Sequence, residues 1–330
     1  MWDLSYFQAI AIGGLQGVTE LFPVSSLGHS VLVPALVGGQ WEHLVTESAT
    51  QDSEASPYLA FIVALHVATA LALLVFYRRD WARIIGAFLH TLRTRSVATS
   101  TERLAWLIVV ATIPVGITGL ALEHLFRTLF AKPVAASVFL MLNGLILLGG
   151  EVLRRRAQAR TRSAPTPTTV PSHPGPAAPA GPPPSHRRGT RGTRAGGLVV
   201  SQHRSLDNLA YREAAIVGLF QTLALLAGIS RSGVTMVGGL LRGLDHEDAA
   251  KFAFLLATPV ILAAGLLKLP SLAGPAGAHI HGQVLAGVLT AGLAAYASVR
   301  FLTRWFTTRT LTPFAVYCLA MGTACLLRFT

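Results

Sequence analysis

The chain has 330 residues, 52% of them hydrophobic and 13% charged, where a soluble domain carries roughly 25% charged residues. That balance excludes a water-soluble fold, and continuous apolar runs of about twenty residues fit membrane helices rather than the alternating strands of a barrel. The formal net charge of +12 does not indicate a nucleic-acid partner, because the basic residues flank apolar runs as the positive-inside rule expects.

The first apolar stretch, residues 4–37, is interrupted near its middle by a polar segment from Gln16 to His29. Residues 1–22 contain no Lys or Arg and include Asp3, so they read as a retained segment and not as a cleaved signal peptide. Spans are predicted at 57–77, 104–122, 134–153, 250–269, 283–303 and 313–328. A second interrupted stretch covers 211–241, with Gly228 to Thr235 at its break. Each half of these two stretches is too short to cross alone. Broken backbone at membrane depth is tolerated where it is buried in protein or lines a wet cavity. Between the halves, residues 154–207 are rich in Pro, Gly, Ser, Thr and Arg and read as a disordered linker. His173, His186 and His203 are too dispersed there to argue for a metal. Cys318 and Cys325, the only cysteines, lie about 10 Å apart along one helix, too far for a disulfide, and read as packing residues.

Loop charge sets an orientation. Arg78, Arg79, Arg83, Arg93, Arg95 and Arg103 place the loop 78–103 in the cytoplasm. Arg154 to Arg156 and Arg300, Arg304 and Arg309 place two further span ends there. Glu42, Glu47, Asp52 and Glu54 place the stretch 38–56 outside, with both termini. The expected fold is an all-α integral membrane protein. It has six transmembrane helices plus two re-entrant broken helices in an inverted-topology repeat, the architecture that places binding sites near the midplane. Its units are a first membrane repeat at 1–153, a cytoplasmic linker at 154–207 and a second repeat at 208–330.

The two breaks carry the chemistry. Gln16 and Glu20, four apart, share a helix face, and Pro23 ends that helix. Ser25 or Ser26 caps the next helix, whose first turn carries Gly28 and His29. Ser26 and His29 can approach, and an imidazole can take the proton of a serine nucleophile; a capping serine beside a structural histidine is the alternative. At the second break Gly228 permits a tight turn, and Ser230 or Ser232 caps a helix that presents Arg231. Helix-start N–H groups bind anions, and the guanidinium fork matches phosphate oxygens; an Arg231–Glu20 pair made for structure alone is the competing reading. Together these groups suit a phosphoryl group attacked in line. Glu20 and Gln16 supply oxygens for a divalent cation bridging a pyrophosphate.

The segment from Gln16 to His29 resembles the Glu/Gln-x-x-x-Glu box and Pro-Val-Ser-Ser-x-Gly-His signature of the bacterial undecaprenyl-diphosphate phosphatases, the bacitracin-resistance protein family. Gly228 to Thr235 resembles their Pro-Gly-x-Ser-Arg-Ser-Gly-x-Thr box, and the similarity continues through Phe252 to Pro259. Gln16 stands where many members have Glu, Ala227 replaces the usual Pro, and the linker looks like an insertion. The resemblance implies hydrolysis of undecaprenyl diphosphate to the monophosphate carrier and phosphate, recycling the lipid for cell-wall synthesis, with bacitracin resistance when abundant. It also implies a multi-pass protein of the bacterial cell membrane, a site opening to the outer face, and magnesium or calcium.

Carried over by position, Ser26 is the nucleophile, His29 its base or acid partner, Glu20 an orienting group or metal ligand, and Arg231 a phosphate clamp. Ser230, Ser232 and Thr235 complete the donors, with Gln16, Ser25, Gly28 and Gly233 also against the phosphate. Whether serine, histidine or water attacks is left open. Partners are then the polyprenyl diphosphate and membrane lipids, with a homodimer open. A transporter or flippase of a polyprenyl phosphate is the alternative function. A phosphatidic-acid-type phosphatase would need a second catalytic histidine, and His246 reads as part of a solvated turn.

Overall fold

The computed structural model describes residues 4–42, 57–130, 132–163, 206, 209–268 and 280–330. Among them the regular elements are all helical. The first break separates α1 (Tyr6–Thr19) from α2 (Ser26–Val37), and α3 follows at Pro57–Phe76. Next come α4 (Arg78–Thr94), α5 (Ser100–Phe130) and α6 (Pro133–Ser163). The second break separates α7 (Tyr211–Thr222), with a 3-10 turn at Leu223–Leu225, from α8 (Arg231–Leu241). The last three helices are α9 (His246–Lys268), α10 (His281–Trp305) and α11 (Thr312–Phe329).

Five of these helices contain segments long and apolar enough to cross a membrane: Ser100–Ala121, Pro133–Ala159, His246–Gly265, His281–Trp305 and Thr312–Phe329. A sixth is counted when α3 and α4, bent by 87° at Tyr77, are taken as one span. The expected six spans therefore each meet a helix. Both interrupted stretches are interrupted where their polar motifs fall.

Three expectations differ from the structure. Residues 78–94, expected in a loop, form helix α4. Its arginines hide an apolar face, on which Ile84 is buried and Phe88 packs on Trp106 with ring centroids 5.3 Å apart. Helix α6 runs to Ser163, ten residues into the expected linker. Spacings of three and four residues favour side-chain pairs on a helix, and here Glu151 accepts from Arg154 Nη2 at 2.7 Å and Arg155 Nε at 3.0 Å. The rest of that linker lies outside the described residues, except Leu206, which is buried and donates its N–H to Asp248 Oδ2 at 3.1 Å. His246 is no solvated turn residue. It opens α9, and its Nε2 lies 2.9 Å from Glu151 Oε2. Most of the acidic stretch 38–56 also lies outside the described residues.

Small residues set the helix contacts, as they do where backbones approach closely in a membrane. Gly13 and Gly17 of α1 lie against the backbone of Gly287 and Ala291 on α10. Gly218 of α7 lies against the Ala111 carbonyl on α5. Gly144 of α6 faces Ala315 and Leu319 on α11. Helix α3 packs on α9 and α10, contributing Phe61 and Leu65 to a core that also holds Phe252 and Phe254. These contacts fix α1 and α7 rigidly enough to aim the residues at their ends.

Candidate active site

Glu20 follows the last turn of α1 and is buried. Its Oε2 accepts from Gln16 Nε2 at 3.1 Å and from the Ser26 hydroxyl, which reaches back across the break. The same oxygen lies 3.2 Å from Nε2 of His66 on α3. His66 Nδ1 lies 2.8 Å from the Ile62 carbonyl, so both ring nitrogens face oxygen acceptors and the imidazole is pinned. From the other side, Arg231 Nη1 lies 4.0 Å from Glu20 Oε1. A serine, a carboxylate and an arginine from opposite halves of the chain therefore share one buried locus.

Ser25 makes the junction. It is the N-cap of α2, and its φ of 71° lies in the left-handed region that a residue other than glycine rarely adopts. Its hydroxyl accepts from Gly28 N at 3.2 Å and, across the interface of the two breaks, from Gly228 N at 3.2 Å. Gly228 has φ 115° and is the glycine that the tight turn requires. The backbones cross so closely that a Cβ on Gly28 would lie 2.8 Å from Gly228 Cα.

At the second break Ser230 is the N-cap and accepts from Gly233 N at 3.2 Å. The Ser230 and Ser232 hydroxyls lie 3.0 Å apart, and both donate toward the Phe22 carbonyl, at 3.5 and 3.4 Å. Asn143 on α6 completes the link. Its Nδ2 donates to the Pro23 carbonyl at 3.0 Å, and its Oδ1 accepts from Ser230 N at 3.0 Å. Cys318 is buried beside it, with Sγ 3.3 Å from Asn143 Nδ2.

The structure thus brings Gln16, Glu20, Ser26 and Arg231 together. Ser25, Gly28, Ser230, Ser232 and Gly233 form the joint between the breaks, where the Gly28 and Gly233 N–H groups are engaged by their own caps. Polar atoms buried in a folded protein ordinarily find partners. Three here have no hydrogen-bond partner among the described residues: Gln16 Oε1, Arg231 Nη1, which lies 4.0 Å from Glu20 Oε1, and, one turn along α8, Thr235 Oγ1. Both the arginine and the threonine are donors of the kind an acceptor-rich ligand such as a phosphate takes.

His29 is the main departure. Its Nδ1 lies 2.7 Å from the Ser25 carbonyl, so that nitrogen carries the proton, and Nε2 accepts from the Tyr317 hydroxyl at 2.7 Å. The two rings stack with centroids 5.7 Å apart. The expected Ser26–His29 pair is not formed, and the serine proton points to Glu20.

His66, Asn143 and Tyr317 were not among the sequence candidates. His66 and Asn143 are polar residues within predicted spans at 57–77 and 134–153. Ionisable and amide side chains at membrane depth are the signal that could have found them.

For a divalent cation, Glu20 Oε1 and Gln16 Oε1 are the oxygens that Glu20's donors leave open. No group of three or more His, Cys, Asp or Glu able to hold a metal occurs among the described residues. A cation held there would take two side-chain oxygens from the protein. That fits a cation carried largely by substrate phosphates and water, as magnesium often is.

The family described as "Bacitracin resistance protein BacA" matches residues 9–324. Among similar proteins, "Undecaprenyl-diphosphatase 2" of Frankia alni is 68% identical over 346 residues, covering 100% of this chain and 99% of the relative. "Undecaprenyl-diphosphatase" of Mycolicibacterium paratuberculosis is 56% identical over 323 residues, covering 98% and 97%. "Undecaprenyl-diphosphatase 1" of Frankia casuarinae is 50% identical over 375 residues, covering 100% and 99%. With that likeness running through both breaks, the chain belongs to the bacitracin resistance protein BacA family.

Proposed function

We propose that this protein hydrolyses undecaprenyl diphosphate to undecaprenyl phosphate and inorganic phosphate, returning the lipid carrier to cell-wall synthesis and conferring bacitracin resistance when abundant. The observation that carries the reading is the Ser26 hydroxyl bonded to buried Glu20 opposite Arg231. The relatives named undecaprenyl-diphosphatase support the substrate.

Ser26 Oγ attacks the terminal phosphorus while Glu20 takes its proton. The bond between that phosphorus and the bridging oxygen breaks, and undecaprenyl phosphate leaves with the electron pair. Glu20 releases its proton toward the departing oxygen. Water then attacks the phosphoserine, gives its proton to Glu20, and phosphate departs as Ser26 recovers a proton from Glu20. Arg231 and Thr235 hold the equatorial oxygens, where preorganised donors act most strongly on a transition state. Tyr317 and the Ser25 carbonyl hold His29 at the start of α2, which makes it a positioning residue for the Ser25–Ser26 turn. A bound magnesium or calcium, held by Glu20 and Gln16, would neutralise diphosphate charge.

The same reading takes residues 1–153 and 208–330 as repeats of opposite topology in a bacterial cell membrane, with the site opening outward and the linker cytoplasmic. Two observations support the repeat. Helix–break–helix elements begin both halves, and α1 on α10 mirrors α7 on α5, each pairing a broken helix with the other half's second expected span.

The test is phosphate release by purified protein from undecaprenyl diphosphate, with and without chelator, beside Ser26→Ala. Release that needs Ser26 is expected. Equal release by the variant removes serine from the mechanism, and no release by the parent chain in any divalent cation removes the activity.

A further inference from the structure

Helix α4 presents three different faces. Ile84 and Thr91 are buried against the protein, and Trp106 Nε1 of α5 donates to Thr91 Oγ1 at 3.0 Å. At about 100° per residue from Ile84, the exposed Ile85, Leu89 and Leu92 fall roughly 80–140° round the helix. They are 51%, 59% and 52% exposed. The exposed Arg79, Arg83, His90 and Arg93 fall roughly 180–260° round on the same measure. One flank is protein, the next is apolar and the third is basic. Arg78 falls in the apolar sector at the helix start, where its Nη1 turns back to the Val75 carbonyl at 3.4 Å.

The helix also leaves the end of α3 at 87°. Taken as a span by itself, as residues 57–77 read from the sequence, α3 crosses the bilayer, and the 87° bend then lays α4 along its plane. Its position is braced from the protein side, because Asp80 Oδ1 accepts from Lys251 Nζ of α9 at 3.1 Å; the same oxygen accepts from Arg83 Nη2 at 2.9 Å, which leaves the rest of that exposed guanidinium for other partners. A helix in that attitude, with an apolar flank beside a cationic one, sits at the boundary between headgroups and acyl chains.

We infer that α4 is a docking surface for anionic phospholipids: Ile85, Leu89 and Leu92 enter the acyl region while Arg79, Arg83 and Arg93 bind lipid phosphates. Charge complementarity selects the occupant. Juxtamembrane arginines are attracted to the negative surface of the cytoplasmic leaflet, and their guanidinium forks match phosphate. The long arginine stems lie over the apolar edge with their heads in the polar layer. The surface is independent of the Glu20 site and of the reaction proposed for it, and rests on the cytoplasmic placement of residues 78–103.

Nitroxide labels at Leu89→Cys and Arg83→Cys test this in protein reconstituted into phosphatidylcholine nanodiscs with and without phosphatidylglycerol. The parent chain, whose Cys318 and Cys325 are buried, is the labelling blank. The Leu89 label is expected to collide with dissolved oxygen rather than with an aqueous nickel chelate, and the Arg83 label to do the reverse. Phosphatidylglycerol is expected to slow amide exchange in α4 several-fold, and replacing Arg79, Arg83 and Arg93 together with Gln to abolish that slowing. A Leu89 label open to the chelate overturns the proposal. Spin–spin broadening at Leu89 overturns it too, because a second copy would then cover the face. Equal exchange in both lipids overturns the assignment to anionic headgroups. Phosphate release by the same preparations reports folding, so loss of the lipid contact and loss of the enzyme are read separately.

Discussion

Gly28 and Gly228 touch through their backbones, with 2.8 Å between the position of a Cβ on the first and the Cα of the second. Only hydrogen fits there, so the approach of the two breaks is set by residue size at that point. Gly28→Ala is expected to cost about 1–3 kcal/mol of overpacking and to separate Ser26 from Arg231. Gly228→Ala should cost more, because its φ of 115° strains any side chain. Thermal unfolding in detergent beside phosphate release checks both. Normal activity in a stable Gly28→Ala protein would contradict the contact.

Ser26→Ala removes the atom bonded to Glu20 and nothing that holds the breaks together. Phosphate release should fall to background while binding of the lipid diphosphate persists. Glu20→Gln should lose turnover as well, because an amide in place of the carboxylate cannot take the serine proton. Single-turnover kinetics with radiolabelled terminal phosphate should trap a phosphoserine in the parent chain and none in Ser26→Ala.

Arg231→Ala should raise KM and lower kcat, since the guanidinium faces Glu20 at 4.0 Å with Nη1 lacking a hydrogen bond. Arg231→Lys should recover little. A lysine head is a point charge and cannot bond two phosphate oxygens in a plane. Full recovery by lysine would reduce the role to charge alone.

His66 reaches Glu20 from α3 and should orient its carboxylate. A hydrogen bond to a charged group contributes about 1.5–3 kcal/mol, so His66→Leu should lower kcat roughly ten- to a hundredfold. KM should change little, because His66 touches Glu20 and not the phosphate clamp. His66→Gln keeps an N–H donor and should recover most of kcat. An equal loss in both variants would make the histidine a packing residue only.

Asn143→Leu strands the Ser230 N–H in a buried place and leaves the Pro23 carbonyl with only the Cys318 thiol, at 3.8 Å. An unpartnered group costs about 1–3 kcal/mol, so the variant should unfold at markedly lower temperature. Asn143→Asp keeps an acceptor for Ser230 but loses the donor to Pro23, and should fall between. Circular dichroism melts in detergent give the order.

Much of this was legible from residues alone. Pro23, Ser25 and Gly228 announce breaks inside apolar stretches, and the four-residue spacing of Gln16 and Glu20 puts them on one face, where they do bond. The capping alternatives at each break resolve to Ser25 and Ser230. What sequence spacing could not supply was direction. Ser26 and His29 are three apart on α2, but the serine turns back to α1 and the histidine turns to Tyr317, 288 positions away. His66 and Asn143 sit inside long apolar runs with no motif around them, and only the packing of α3 and α6 reveals whom they meet. Helix α4 was hidden for a different reason. Its arginine content resembled a loop, and a charged helix with one buried edge lacks the apolar run that marks a span.

The bond from Gly228 N–H to the Ser25 hydroxyl joins positions 203 apart in the chain. A ribosome that has released only the first half has made a serine and a carboxylate, but neither Arg231 nor the Gly228 N–H that bonds Ser25. If Arg231 is the phosphate clamp, a first half alone is expected to show no phosphate release until α8 is in place. A truncated product left in the membrane is then expected to leave the lipid pool around it unchanged.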